Sequence, residues 1–139
     1  MELLNRCFSV SLFVKGLKKP IPFEFILDYL YPIIPVVKPM FGSYALYSGE
    51  KIILILREKD NHTEDNGVWL ATSSEHHQSL KKEFPSMRSI ELLGNGETNW
   101  QIIPVEAHDF ESSVIRVCEL VKKGDKRIGK IPKQKKKKA

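Results

Sequence analysis

The stretch that decides the fold is Tyr44-Ala-Leu-Tyr47-Ser-Gly-Glu-Lys51-Ile-Ile-Leu-Ile-Leu56. Two apolar runs flank Ser48-Gly49-Glu50, and a short polar connection that contains glycine is typical of a hairpin turn. The second run is apolar on both faces, which is typical of a central strand that is covered on both sides. The sequence therefore predicts a hairpin near the middle of a sheet.

Three more strands are predicted outside this hairpin. Apolar and aromatic runs bounded by turn residues occupy 68–72, 87–93 and 100–104. Together with the hairpin, they predict a sheet of about five strands.

Three helices are predicted around these strands. Phe23 to Leu30 carries apolar residues at helical spacing, and Thr72-Ser-Ser-Glu75 matches the capping-box pattern, which predicts a helix over 73–83. A last helix is predicted from Asp109, with Gly124 just past its end. Because the strands are grouped and do not alternate strictly with helices, the fold class expected is α+β with a largely antiparallel sheet.

The charge divides the chain into three parts. Six of the 22 basic residues lie from Lys130 onward, where there is no acid, and the first nineteen residues have a net charge of +3. Residues 20–129 carry 12 basic and 16 acidic residues, a net charge of −4. We expect an N-terminal extension over 1–19, a single domain over 20–129 and a disordered lysine-rich tail over 130–139.

The N-terminal extension is expected to add little to the core, because the first periodic apolar face starts at Phe23. The alternative is an extra strand that contains Phe8, Val10, Leu12 and Val14. No apolar run approaches eighteen residues, so no membrane span is predicted. Cys7 and Cys118 show neither metal nor redox spacing, which fits a reducing cytoplasm.

Two groups of residues carry partial signals for a metal site. Adjacent His76 and His77 point about 100° apart on a helix, so they are unsuited to share a metal. Asp60, Glu64 and Asp65 lack calcium-loop spacing and are expected to be solvated. No metal, cofactor or catalytic residue is predicted, because the chain contains no strong catalytic or cofactor motif.

Nucleic acid is a second class of partner to consider. Trp100 could stack on a base, although a tryptophan in a small domain is more often part of the core. The tail would bind any polyanion through its lysines, with little sequence preference and a strong salt dependence. The tail lysines are Lys133, Lys135, Lys136, Lys137 and Lys138. Because the body is net acidic, we expect such binding to be confined to the tail.

Residues 38–56 resemble the opening of TfoX N-terminal-like domains, which combine a Met-Phe-Gly-Gly-Tyr-like start, a tyrosine-bearing strand, a glycine turn and an apolar strand. Met40-Phe41-Gly42 and the run from Tyr47 to Leu56 match, with Ser43 in place of the second glycine. Segments 65–70, 85–90, 99–101 and 127–130 are similar to small uncharacterised bacterial proteins of the TfoX/YjbR-like group. The resemblance covers roughly residues 20–132. Its named member regulates competence genes, and related folds have been suspected of nucleic-acid or protein binding. It supplies no catalytic residues.

Two functions from different classes remain open. The first is a non-enzymatic binding or regulatory module of this group, which acts through contact with protein or nucleic acid. The second is a small ligand-binding or enzymatic domain with an anion-accepting pocket around Arg88 and Trp100, joined by Tyr44 or Tyr47. An enzyme is the less favoured of the two, and the sequence does not indicate an oligomeric state.

Overall fold

The computed structural model describes residues 21–92 and 99–132. The predictions for residues 1–19 and for the tail lysines from Lys133 onward lie outside these described residues. None of the helices in the described part has the length and apolar character needed to cross a bilayer.

One antiparallel sheet organises the fold, with the strand order β1-β2-β3-β4-β6-β5. The strands are β1 (Val36–Met40), β2 (Ser43–Ser48), β3 (Lys51–Arg57), β4 (Gly67–Leu70), β5 (Arg88–Ser89) and β6 (Gln101–Pro104). The helices are α1 (Phe25–Leu30), α2 (His77–Glu83) and α3 (Phe110–Lys122). The predicted α+β class and antiparallel sheet are confirmed.

The structure corrects the strand count. β1 pairs with β2 from Val36↔Tyr47 to Met40↔Ser43 and makes a sixth strand that was not predicted. It was missed because its residues are mostly exposed and include Pro39, which is typical of an edge strand and not of a core strand. The predicted strand over 87–93 is also shorter, since of its described residues 87–92 only Arg88–Ser89 form a strand paired with β6.

The second helix also differs from its prediction. A 3₁₀ turn at Ser74–His76 precedes α2, and the expected capping box does not form. Thr72 is buried at the end of the sheet, and its hydroxyl donates to the carbonyl of Ser73 at 3.5 Å instead of capping the helix.

The last helix is confirmed and ends in a Schellman motif. Gly124, with φ at 76°, donates its backbone N–H to the carbonyl of Val121, and the N–H of Asp125 bonds to the carbonyl of Leu120. Val114, Val117, Cys118 and Val121 lie along its buried stripe.

The three helices of the described residues lie on one face of the sheet. Leu27 of α1, Leu80 of α2 and Val117 of α3 belong to one core cluster with Leu46 and Leu54 of the central strands. The rings of Phe23 and Phe110 meet at 5.3 Å and join the start of α1 to the start of α3. We call this the helical face, and the opposite side of the sheet the distal face.

Candidate functional site

The distal face has its own apolar cluster, to which none of the described helices contributes a residue. Every buried member is at most 7% exposed: Ala45, Ile52, Ile55, Trp69, Ala71, Ile90 and Ile102. Met40, Tyr47 and Trp100 pack partly exposed against them. A register shift between Leu46 and Tyr47 places Tyr47 opposite Ile52, so that both side chains reach this face.

A mainly apolar cleft opens on this face, with a volume of about 410 Å³. We call it the tryptophan cleft. Its lining consists of Met40, Phe41, Ser43, Ile55, Trp69, Leu92 and Trp100. A concave apolar surface of this size is suited to taking up apolar side chains.

A second hollow of about 470 Å³ adjoins the cleft and shares Met40 and Trp100 with it. We call it the tail-side hollow. Its other lining residues are Tyr47, Ile52, Thr72, Asn99, Lys130, Ile131 and Pro132. Pro132, the last described residue before the lysine-rich tail, therefore lies at the edge of this surface.

The two tryptophans of the chain form one wall of the tryptophan cleft. Their ring centroids lie 6.0 Å apart with the planes tilted by 57°. The indole N–H of Trp69 donates to the backbone carbonyl of Asp65 at 3.0 Å, which fixes this ring in the wall. Trp100 is half-buried and has one side open to the cleft.

A buried carboxylate positions Leu92, another lining residue of the cleft. Asp65 is fully buried, and its oxygens accept hydrogen bonds from the backbone N–H groups of Glu91 and Leu92 and from the Arg88 guanidinium. The sequence predicted that Asp65 would be solvated with Asp60 and Glu64, and for Asp65 this is wrong. The hydrogen bonds from backbone N–H groups to the Asp65 carboxylate hold Leu92 at the cleft. The described residues contain no group of three or more histidine, cysteine, aspartate or glutamate side chains that could hold a metal ion.

The turn between β1 and β2 places an aromatic ring at the rim of the cleft. Phe41 has φ at 49° and Gly42 has φ at 80°, so both central residues of the two-residue turn are left-handed. This conformation suits Asn-Gly and strains a bulky residue such as phenylalanine. The Phe41 side chain is 92% exposed, so it gains little packing in return. An exposed aromatic held in a strained conformation is a candidate contact residue.

The four predicted ligand-binding residues lie in three places. Tyr47 and Trp100 line the tail-side hollow together, and the Lys38 ammonium lies 4.7 Å from the Tyr47 ring centroid. Tyr44 points into the helical-face core and borders a separate groove with Pro22 and Gly42.

The fourth residue, Arg88, lines a different groove from Trp100, next to Thr63 and Ser86. Its guanidinium donates to the Asp65 carboxylate and to the carbonyls of Glu64 and Ser89. The structure thus brings Tyr47 to Trp100, whereas Arg88 and Tyr44 lie elsewhere.

Sequence reasoning did not single out Phe41 or Leu92 as site residues. Phe41 could have been found if β1 had been predicted, because Phe41-Gly42 then becomes a two-residue turn with an unusual first residue. Leu92 depends on the burial of Asp65, for which the polar loop sequence gives no signal.

A clip of charged residues holds the C-terminal segment beside the hollow. Arg127 bonds to Asp125, Glu83 and Ser79, with three of these contacts at 2.8–2.9 Å. The side-chain hydrogen bond from Arg127 lowers the pKa of Asp125 to about 2. Beyond the clip, Lys130 forms an antiparallel bridge with Ile52, so the chain stays attached to β3 at the point where the tail was expected to begin.

Comparison with known proteins gives no relative: no family model matches the chain, and neither a curated protein nor a solved structure is significantly similar to it.

Proposed function

We propose that the chain is a non-enzymatic binding module of the TfoX N-terminal-like group, which docks an apolar peptide segment of a partner protein in the tryptophan cleft. The observation that carries the proposal is the apolar cleft on the distal face, with a strained and exposed Phe41 at its rim. Met40 and Phe41 of the Met40-Phe41-Gly42 motif line this cleft.

The lining favours a peptide over nucleic acid as the occupant of the cleft. Among the described lining residues, Ser43 has the only polar side chain apart from the indole N–H groups. The described part of the chain carries 13 basic against 15 acidic side chains. A nucleic-acid surface needs basic groups beside its stacking rings. Nucleic-acid contact is therefore proposed only for the tail, and a cytoplasmic location fits the free thiol of Cys118.

The alternative of an anion-accepting pocket around Arg88 and Trp100 has less support. Arg88 already donates to a buried carboxylate and two carbonyls, so an anion would have to compete with these bonds.

Selection of peptides from a displayed random library on the full chain tests the proposal. Enriched peptides should be apolar, change the tryptophan fluorescence, and bind at least about tenfold more weakly to the Trp100→Ala and Phe41→Asn variants, as expected for an interface hot spot. Tyr29→Asn is the matched control, because Tyr29 is an exposed aromatic of α1. The absence of enriched peptides, or equal binding to all three variants, would contradict the proposal.

A further inference from the structure

We propose that the apolar segment 7–14 of this chain seats in the tryptophan cleft of its own molecule, so that a partner must displace it. Displacement of the segment by a partner rests on the proposed function, whereas binding of the segment in the cleft does not depend on it. The occupant is thus a segment of this chain that precedes the described residues, and the contact would be autoinhibitory.

The first argument is the burial of the distal face. Ile55 and Trp69 line the cleft and are nevertheless only 4% and 7% exposed, although the described helices all pack on the other face. Met40, Tyr47 and Trp100 supply part of the cover and are themselves incompletely buried. An apolar cleft between such residues is stabilised when an apolar segment replaces its water.

The second argument is the place where the described chain begins. Ile21 is buried in the helical-face core, and Pro22 lines a groove with Gly42, the neighbour of Phe41 in the β1–β2 turn. Pro22, the second described residue, therefore lies beside the turn that carries Phe41 of the cleft rim. The six residues 15–20 span up to about 20 Å when extended, which is enough to bring residue 14 around the rim.

The third argument is the sequence of the segment. Cys7-Phe-Ser-Val-Ser-Leu-Phe-Val14 places Phe8, Val10, Leu12 and Val14 at alternate positions, so an extended segment has one wholly apolar side. Cys7 falls on the other side, together with Ser9 and Ser11. One apolar side matches a cleft that is open on one side.

The fourth argument is charge. Lys15, Lys18 and Lys19 connect the segment to Pro20, and the groove that contains Pro22 is also lined by Glu58 and Asp60. Lys59 lines the same groove, so its charged side chains sum to −1. A net negative groove beside Pro22 would favour a path of the basic residues before Pro20 along it.

A nitroxide spin label on Cys7 of the full chain tests the seating. Cys118 is fully buried, and burial raises the pKa of its thiol to about 12, so Cys7 is the thiol that reacts. Broadening of NMR signals by the label falls steeply with distance. The indole N–H signals of Trp69 and Trp100 should be broadened far more than the backbone amides of Arg116 and Glu119 in α3. Equal broadening of both groups, or no broadening of the indoles, would overturn the inference.

Two variants of the labelled chain make the test specific. Phe8→Ser with Leu12→Ser removes two residues from the apolar side and should abolish the indole broadening. Ser9→Ala with Ser11→Ala changes the opposite side and should preserve it. The inference fails if the first pair keeps the broadening, or if the second pair loses it.

Mixing two samples of the chain distinguishes binding of the segment within one molecule from binding of a second copy's segment. Chain that carries the nitroxide but no ¹⁵N is mixed with ¹⁵N-enriched chain that carries no nitroxide. The indole signals of the ¹⁵N-enriched chain should remain sharp. Broadening there would mean that another molecule's segment occupies the cleft, which overturns seating within one chain. If the seating is found and the peptide selection fails, only the proposed function is lost.

Discussion

The backbone N–H of Leu92 donates a 2.6 Å hydrogen bond to the carboxylate of Asp65. The neighbouring N–H of Glu91 bonds to both oxygens of the same carboxylate, at 3.0 and 3.1 Å. Asp65 also accepts the Trp69 indole N–H through its backbone carbonyl. One buried residue thus connects two walls of the tryptophan cleft.

Asp65→Ala should therefore lower the free energy of unfolding by about 2–4 kcal/mol, because it leaves two backbone donors and the Arg88 guanidinium without this acceptor. Urea denaturation followed by circular dichroism measures the loss. Asp60→Ala is the matched control in the same loop, where the side chain is exposed, and should change stability by less than about 0.5 kcal/mol. Equal midpoints for the two variants would show that the Asp65 bonds contribute nothing.

Phe41→Asn should raise stability by about 0.5–1 kcal/mol while it weakens peptide binding. Asparagine tolerates the left-handed conformation that Phe41 adopts, and the exposed ring gives up little packing. Thermal unfolding measures this increase in stability. Such an increase is expected when a strained residue that serves function is replaced. A lower midpoint would indicate that the ring is needed for folding.

The Arg127–Asp125 clip should make stability depend on pH in the acid range. The pKa of Asp125 is lowered to about 2 in the folded protein, against roughly 3.9 for an ordinary aspartate. Between these values the unfolded chain binds more protons, so the contribution of the clip is complete above about pH 4 and is lost as pH falls through 2. Asp125→Asn should remove this part of the acid sensitivity. The account would be contradicted if the stability difference between wild type and variant were the same at pH 5 and pH 2.

The tail lysines should bind single-stranded and duplex nucleic acids alike, with micromolar or weaker affinity that collapses as salt rises. Replacing Lys133 and Lys135 to Lys138 by glutamine in the full chain should abolish this binding, because residues 20–129 are net acidic. Titration of a labelled duplex and a labelled single strand at two salt concentrations measures it. Sequence-selective binding by the glutamine variant would contradict this and show that residues 20–129 recognise nucleic acid.

Local patterns were enough to predict the centre of the fold. The hairpin of β2 and β3 and the long helix α3 carry continuous apolar or helical periodicity, so their burial follows from sequence alone. β1 lacks such a pattern, because its contribution comes from pairing with β2 and its side chains stay mostly exposed.

The candidate site was predictable only in part. Trp100 and Tyr47 stood out as aromatics on strands, and the structure brings them together in the tail-side hollow. Whether Arg88 joined them depended on the buried carboxylate of Asp65, a contact between residues 23 positions apart. Such long-range polar pairs leave no periodic trace in a single sequence.

The most direct test of the docking cleft is to map a selected peptide on the full chain by NMR. On addition of the peptide, the account predicts that the indole signals of Trp69 and Trp100 and the backbone amides of Met40 and Leu92 shift together and saturate at the same concentration. Shifts concentrated in α1 and α3, with both indole signals unchanged, would contradict it.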